Sequence, residues 1–299
     1  MRAVLLISLS AAAVALAPSW LSGFGEALPT LSLQGSGERP ATSLFEAPAP
    51  EPKREEHSAR FSAEGTLAKT LSAPAQTAED LAKGCGEGMV LVEGQYCPDV
   101  EHHCKRWMDP EGPYRYFRCA EYEQPARCKT NTVTLRYCID RDEHTAAGER
   151  LPENNKSLTD AARTCAAEGK RVCRESEWNF ACEGEEMRPY PYGFTRDASA
   201  CNADHTDLVN DAGKLKDLRV PSDAYPRCES PFGVRNLTGN LEEMVARDGK
   251  GPMQPAMKGA YWQPSRNHCR AAQTAHDAYY HGTETGFRCC ADAPGAESE

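Results

Sequence analysis

The sequence predicts a disulfide-rich domain of short helices and strands that follows a long leader without cysteine. All fourteen cysteines fall between Cys85 and Cys290, and an even number allows each of them to be paired. From Gly84 onward, Gly, Pro, Asn and Asp interrupt the chain every few residues. This punctuation favours short elements joined by ordered loops over long periodic ones.

The leader begins with features of a signal peptide, which we predict over residues 1–27. An apolar run from Ala3 to Ala17 follows a single arginine, and it is shorter than the ~20 residues of a membrane-spanning helix. Cleavage could follow either Ala17 or Ala27, and both alternatives stay open. We therefore expect no membrane span and an exported protein (periplasmic, cell-surface or extracellular), because cysteines at this density are oxidised in those compartments.

Composition divides the rest of the chain into three parts. Residues 28–83 are rich in Pro, Ala, Ser, Thr and Glu, which cannot bury enough apolar surface to offset the entropy of ordering, and they predict a disordered linker. Residues 84–294 suit one sizeable domain, and residues 295–299 are predicted to be a disordered tail. The net charge of -10 argues against a nucleic-acid partner, because phosphates attract basic surfaces.

The first of two predicted helices begins at a capping signal. Ser157 precedes it, Asp160 stands three residues later as the second member of a capping-box-like pair, and Gly169 ends it. Helical spacing places five residues on one stripe, which we expect to face the core: Leu158, Ala161, Ala162, Cys165 and Ala166.

A second helix is predicted over residues 175–183, before a terminating glycine. Its spacing places Trp178 and Cys182 on a common inward face. Residues 286–290 are typical of a strand, in which successive side chains point to opposite faces. The two adjacent cysteines at the end of that strand therefore need different partners.

Four motifs resemble the formylglycine-generating enzyme family, also called sulfatase-modifying factors, in both order and spacing. They are GKRVCRESEWNFAC (169–182), YPYG (190–193), SPFGVRNLTGNLEE (230–243) and GFRC (286–289). The resemblance covers residues 89–292, most of the cysteine-rich part. It implies an α+β fold related to C-type lectins, poor in regular secondary structure and often calcium-bearing.

The resemblance also implies two disulfides, of the kind found in secretory members of the family. They join Cys165 to Cys289 and Cys182 to Cys269. The other ten cysteines depart from the better-known members, and the sequence does not reveal their connectivity. Two further pairings are hypotheses: Cys201 with Cys228, and Cys173 with Cys290.

Calcium is implied at two places, each with the oxygen ligands that Ca²⁺ prefers. At the first, all four family positions are retained: Asn236, Gly239, Leu241 and Glu243. At the second, Asn202 and the Ala203 carbonyl match, whereas the expected aspartate could be Asp211 or Asp217, because the spacing is altered. The alternative interpretation of residues 236–240 is a capped turn without metal.

The stretch expected to carry the catalytic motif lacks it. Enzymes of the family oxidise a sulfatase cysteine with copper held by two cysteines after a Gly-Gly-Ser-Tyr or Gly-Gly-Ser-Trp turn, and soft thiolates suit Cu(I). Here the stretch is KGAYWQPSRNHCRAA (258–272). Gln263 stands where the first copper cysteine is expected, Ala260 replaces the turn serine, and Cys269 matches a structural cysteine. We therefore do not expect copper chemistry.

These observations predict a catalytically degenerate protein of this family that acts as a calcium-stabilised binding or accessory module for an unknown protein or glycan. The alternative is an oxidoreductase acting on a sulfur group, either of the formylglycine-generating type or with non-heme iron. An iron site would use His268, His276 and His281. These imidazoles would have to converge, since shared ligation needs bonds of roughly 2.0–2.1 Å; otherwise they are solvated loop residues.

Aromatic residues recur in three segments that could line a groove: 114–117, 261–262 and 278–280. More often, such side chains occupy core or half-buried strand positions. The sequence leaves both interpretations open.

Overall fold

The computed structural model describes residues 84–249 and 251–294. The predicted signal peptide (1–27), linker (28–83) and tail (295–299) fall outside the described residues, and these stay predictions. Among the residues described, no helix is long and apolar enough to cross a membrane.

The described part of the chain forms two helices and twelve short strands. The helices are α1 (Leu158–Ala167) and α2 (Glu175–Glu183). In chain order, the strands are β1 (Met89–Tyr96), β2 (Val100–Glu101), β3 (Cys104–Trp107), β4 (Cys119–Tyr122), β5 (Arg127–Cys128), β6 (Val133–Asp140), β7 (Arg171–Val172), β8 (Glu242–Ala246), β9 (Pro255–Lys258), β10 (Ala272–Gln273), β11 (Thr285–Gly286) and β12 (Cys289–Asp292).

Two four-stranded sheets organise the domain. The first has the order β1-β6-β12-β7 and is antiparallel throughout. The second has the order β10-β9-β8-β11, with β11 parallel to β8. In the first sheet, Val90 pairs with Ile139 and Val92 with Tyr137. These four side chains enter one core cluster, as expected for residues two apart on a pleated strand.

Helix α1 begins and ends as the sequence predicts. The Ser157 hydroxyl accepts a hydrogen bond from the Asp160 N–H (3.1 Å), and the Asp160 carboxylate accepts one from the Ser157 N–H (3.2 Å). Gly169 follows the helix with φ +70°. The buried stripe is narrower than predicted and leaves Ala166 exposed, because only three residues reach the core: Leu158, Ala161 and Cys165.

Helix α2 has the predicted bounds but is buried on all sides rather than on one face. Every residue from Glu177 to Glu183 is buried, because the helix contacts β1, β6 and β8 from both sheets. Gly184 ends it with φ +64°, and a Cβ atom there would lie 2.8 Å from the Pro231 ring. Glycine is therefore required at this turn.

The prediction of a single strand over residues 286–290 is wrong. β11 ends at Gly286 and belongs to the second sheet, whereas β12 begins at Cys289 and lies in the first. Phe287 and Arg288 carry the chain between the two sheets. Both are buried, and strand pairing is interrupted because backbone groups here bond outside the sheets: the Phe287 carbonyl accepts the His144 N–H (2.9 Å), and the Cys289 N–H donates to the Asp140 carboxylate (2.9 Å).

Seven disulfides pair all fourteen cysteines and leave none free. Cys289 and Cys290, adjacent on β12, bind different partners, one on α1 and one just before α2. The pairs that the resemblance implied and the two hypothesised pairs are all formed in the structure. The bridges are Cys85–Cys138, Cys97–Cys128, Cys104–Cys119, Cys165–Cys289, Cys173–Cys290, Cys182–Cys269 and Cys201–Cys228.

Candidate functional site

A cleft of about 380 Å³ lies at the position of the missing catalytic motif, with Gln263 in its wall. Each of the three aromatic segments contributes one lining residue: Phe117, Tyr261 and Tyr280. By contrast, Trp262 is fully buried and Tyr279 is 73% exposed. The groove interpretation therefore applies to one residue of each segment.

The turn after β9 positions this wall. Gly259 and Ala260 both have positive φ, +80° and +55°, and a Cβ atom on Gly259 would lie 3.2 Å from the Leu237 carbonyl oxygen. After the turn, Tyr261 faces the cleft and Trp262 enters the interior. The segment is fixed again at Cys269, which is bonded to α2.

The cleft contains no thiol, because every cysteine is committed to a disulfide. Cys269, the cysteine of the 258–272 stretch, is bonded to Cys182 in the core. The Gln263 amide instead lies beside the Tyr261 hydroxyl. An amide does not supply the soft thiolate that Cu(I) prefers, so this donor set does not fit the copper site of the family.

The three histidines of the iron hypothesis occupy different environments. His268 packs near His102, with ring centroids 6.5 Å apart, and burial lowers its pKa to about 3. His276 lines the cleft and stacks on Tyr280, whereas His281 is exposed. In the described ranges, no three His, Cys, Asp or Glu side chains are placed to hold a metal ion. These histidines therefore do not form the three-ligand site that iron would need.

The segment of the first predicted calcium site surrounds a carboxylate that the sequence analysis missed, that of Glu143. Its oxygens accept hydrogen bonds from the Leu241 N–H (3.0 Å) and from the side-chain amides of Asn240 (2.6 Å) and Asn236 (3.3 Å). Burial, together with the charge of Glu243, raises the pKa of Glu143. Its neighbours along the chain are also charged, so no local signal distinguishes it from a surface acid.

Glu243 is occupied by other partners. The Arg288 guanidinium donates to both of its carboxylate oxygens, at 2.6 and 2.7 Å, and the Trp178 indole N–H donates at 2.9 Å. All three side chains are fully buried. Glu243 is thus half of a bidentate ion pair inside the protein.

The second predicted calcium position packs against the first. Gly239 has φ +74°, and a Cβ atom there would lie 2.3 Å from the Asn202 carbonyl oxygen and 3.1 Å from the Ala203 side chain. The Asn202 carbonyl accepts the Asn240 N–H (2.8 Å), and its side-chain amide donates to the Asn240 side chain (2.9 Å). Glycine is required here for this close approach.

The first residue set, as arranged, does not fit calcium. Ca²⁺ takes six to eight oxygen ligands, whereas Glu243, the one carboxylate of the set, has both oxygens bound by Arg288, and the Asn236 side-chain amide donates to Glu143. At the second position, Asp217 pairs with a neighbouring arginine and Asp211 is exposed. Calcium there stays a prediction.

In an Asp211→Asn/Asp217→Asn variant, which removes the carboxylates of the second predicted position, we expect calcium removal to leave the melting temperature unchanged within about 1 °C, because Glu143 organises the first segment without a metal. Glu143→Ala should lower the free energy of unfolding by about 1–3 kcal/mol, since it leaves buried donors unpaired. Differential scanning fluorimetry in calcium and in EGTA, with urea unfolding of Glu143→Ala, tests both. Glu149→Ala, at an exposed carboxylate, is the matched control. A saturable rise with calcium in the melting temperature of the Asp211→Asn/Asp217→Asn variant would contradict the assignment.

Comparison with known proteins agrees with the motifs. The family model described as "Sulfatase-modifying factor enzyme 1-like domain" matches residues 94–293. Three solved structures have similar folds. CarF is 14% identical, and the match covers 68% of this chain and 97% of CarF, with a TM-score of 0.45. PvdO from Pseudomonas aeruginosa is 16% identical, with 68% of this chain and 94% of PvdO covered and a TM-score of 0.45; Treponema denticola variable protein 1 is 12% identical, with 67% of this chain and 99% of that protein covered and a TM-score of 0.42.

The family match covers most of the cysteine-rich domain, and the architecture has the short elements and extensive loops expected of it. The position of the first copper cysteine is held by Gln263. The chain therefore belongs to the sulfatase-modifying factor family, with the α+β, C-type-lectin-related fold of formylglycine-generating enzymes, and is a divergent member that lacks the copper cysteine pair.

Proposed function

We propose that this protein is an exported, catalytically degenerate member of its family that binds a ligand in the cleft beside Gln263 and acts as a binding or accessory module. One observation carries the proposal: the cleft is present and lined by polar and aromatic side chains, while no thiolate remains to hold copper. Seven disulfides and the predicted signal peptide support export.

The lining of the cleft suits recognition. Aromatic rings supply contact area at low entropic cost, and the tyrosine hydroxyls and the Gln263 amide can orient a polar group. The ligand would be presented by a protein or a glycan. The oxidoreductase alternative gains no support from the described residues, because the thiols are all paired and the three histidines are apart.

We expect no aldehyde when the purified protein is incubated with copper or iron, oxygen and a sulfatase-type cysteine peptide. Mass spectrometry of the peptide tests this, and turnover would overturn the proposal. Binding is tested by ligand-observed NMR with n-butylammonium, butyrate, n-butanol and methyl glucoside.

At least one of these probes should bind the wild type and weaken tenfold or more in Gln263→Trp, which fills the cleft. Binding of none, or equal binding by a folded Gln263→Trp variant, would also refute the proposal.

A further inference from the structure

The cleft carries two carboxylates, and no basic side chain is paired with them. Glu242 and Glu284 both line it, and the Glu242 N–H donates to the Glu284 carbonyl (2.9 Å), which holds the two residues side by side. The Tyr280 hydroxyl donates to the Glu284 carboxylate (2.7 Å). In the described chain, no hydrogen bond or ion pair involves the Glu242 carboxylate. The arginine in the lining, Arg266, lies over the Phe117 ring, 5.3 Å from its centroid.

The alternation of β8 explains how Glu242 reaches the cleft. Successive side chains of a strand point to opposite faces, so Glu243 turns inward to Arg288 while Glu242 turns to the cleft. Burial raises the pKa of Glu242 to about 7, and the charge of Glu284 adds to the effect. Glu242 is half-buried; a carboxylate in this position without a counter-charge is unfavourable, and a cation would stabilise its ionised form.

The remaining walls suit the same kind of ligand. Burial, followed by the charges of Glu284 and Glu242, raises the pKa of Tyr261 to about 12. Burial and the hydrogen bond to Glu284 raise the pKa of Tyr280 to about 12 as well. Both phenols thus stay neutral at physiological pH and line the cleft with Phe117; one face of Tyr280 stacks on His276, and Arg266 lies over the Phe117 ring. Aromatic faces attract ammonium and guanidinium groups.

We propose that the cleft binds an organic cation, an ammonium or guanidinium group, between the Glu242 and Glu284 carboxylates and the aromatic walls. This inference rests on the proposed function, because it specifies the ligand class of the same cleft. The net charge of -10 attracts such ligands over longer distances. A free amine and a basic side chain of a partner protein share this chemistry.

The test compares matched probes by isothermal titration and ligand-observed NMR. We expect n-butylammonium to bind at least tenfold more tightly than n-butanol or butyrate, and Glu242→Gln to remove most of that preference. Glu284→Gln is the second variant, and circular dichroism checks the fold of both. Glu149→Gln removes one exposed carboxylate away from the cleft and should leave binding unchanged.

Binding of the amine should strengthen as the pH rises through about 7, because Glu242 becomes ionised in that range. The other charged or titratable groups of the cleft are Glu284, Tyr261, Tyr280, His276 and Arg266. A preference for ammonium that persists in a folded Glu242→Gln/Glu284→Gln variant would overturn the inference.

Two further comparisons separate the possible failures. If butanol, butyrate or glucoside binds in a way that Gln263→Trp abolishes, while butylammonium binds no better, the cation assignment fails and the proposed function survives. If no probe binds, both fail. A last comparison measures the affinity of N-acetyl-Gly-Lys-Gly-amide against its Gln analogue and against butylammonium. Tighter binding of the lysine peptide would indicate a basic side chain of a partner protein as the preferred source, and tighter binding of butylammonium a small free amine.

Discussion

Replacing Arg288 by alanine is expected to lower the free energy of unfolding by about 3–5 kcal/mol, the range for removing one partner of a buried ion pair. The guanidinium is fully buried and binds both oxygens of Glu243. Its loss would leave that carboxylate uncompensated close to a second buried acid, Glu143. Three backbone carbonyls would also lose their donor: those of Asp140, Arg141 and Arg235.

Urea unfolding followed by tryptophan fluorescence measures this effect. Arg288→Lys keeps the charge but not the planar, two-pronged guanidinium. We therefore expect it to lower the free energy of unfolding measurably, but by less than Arg288→Ala does. Arg163→Ala, on the solvent side of α1 with a side chain 76% exposed, should change stability by less than about 0.5 kcal/mol. A loss below about 1 kcal/mol in Arg288→Ala would mean that the buried pair is not formed.

Local signals predicted the helices well, because their boundaries depend on neighbouring residues. The capping pair at Ser157 and the glycine after each helix mark the ends that the structure has. The predicted strand over 286–290 is divided for the opposite reason. It is interrupted where the Phe287 carbonyl accepts the N–H of His144 from a distant segment, and sequence spacing contains no trace of that contact.

In the candidate site, too, the sequence predicted what depends on neighbouring residues and missed what depends on distant contacts. The motif comparison located the cleft through Gln263, a position fixed by order along the chain. It selected Glu243 as a ligand and overlooked Glu242, since two adjacent acids look alike in sequence. In the structure, the alternation of side chains along β8 turns Glu243 to the interior and Glu242 to the cleft, and the pairing of β8 with β11 brings Glu242 next to Glu284. Glu143 was missed because its partners lie more than 90 residues away.

Removing the disulfide between Cys182 and Cys269, by replacing both with alanine, is expected to lower the free energy of unfolding by about 3–5 kcal/mol. The bridge joins residues 87 apart, and loop-closure entropy makes a long link more stabilising than a short one. Both sulfurs also fill the main core cluster. Because Cys269 fixes the end of the cleft wall, we expect n-butylammonium binding to weaken as well.

The matched control is the Cys104–Cys119 bridge, which joins strands β3 and β4 across only 15 residues. In the chain-entropy model, its loss should cost roughly 1.5 kcal/mol less, and amine binding should be retained, because backbone pairing still joins β3 to β4 without the bridge. Urea unfolding of both double variants, with intact mass to verify the remaining pairs, gives the comparison. An equal loss of amine binding in the two double variants would show that the core bridge does not hold the cleft wall in place.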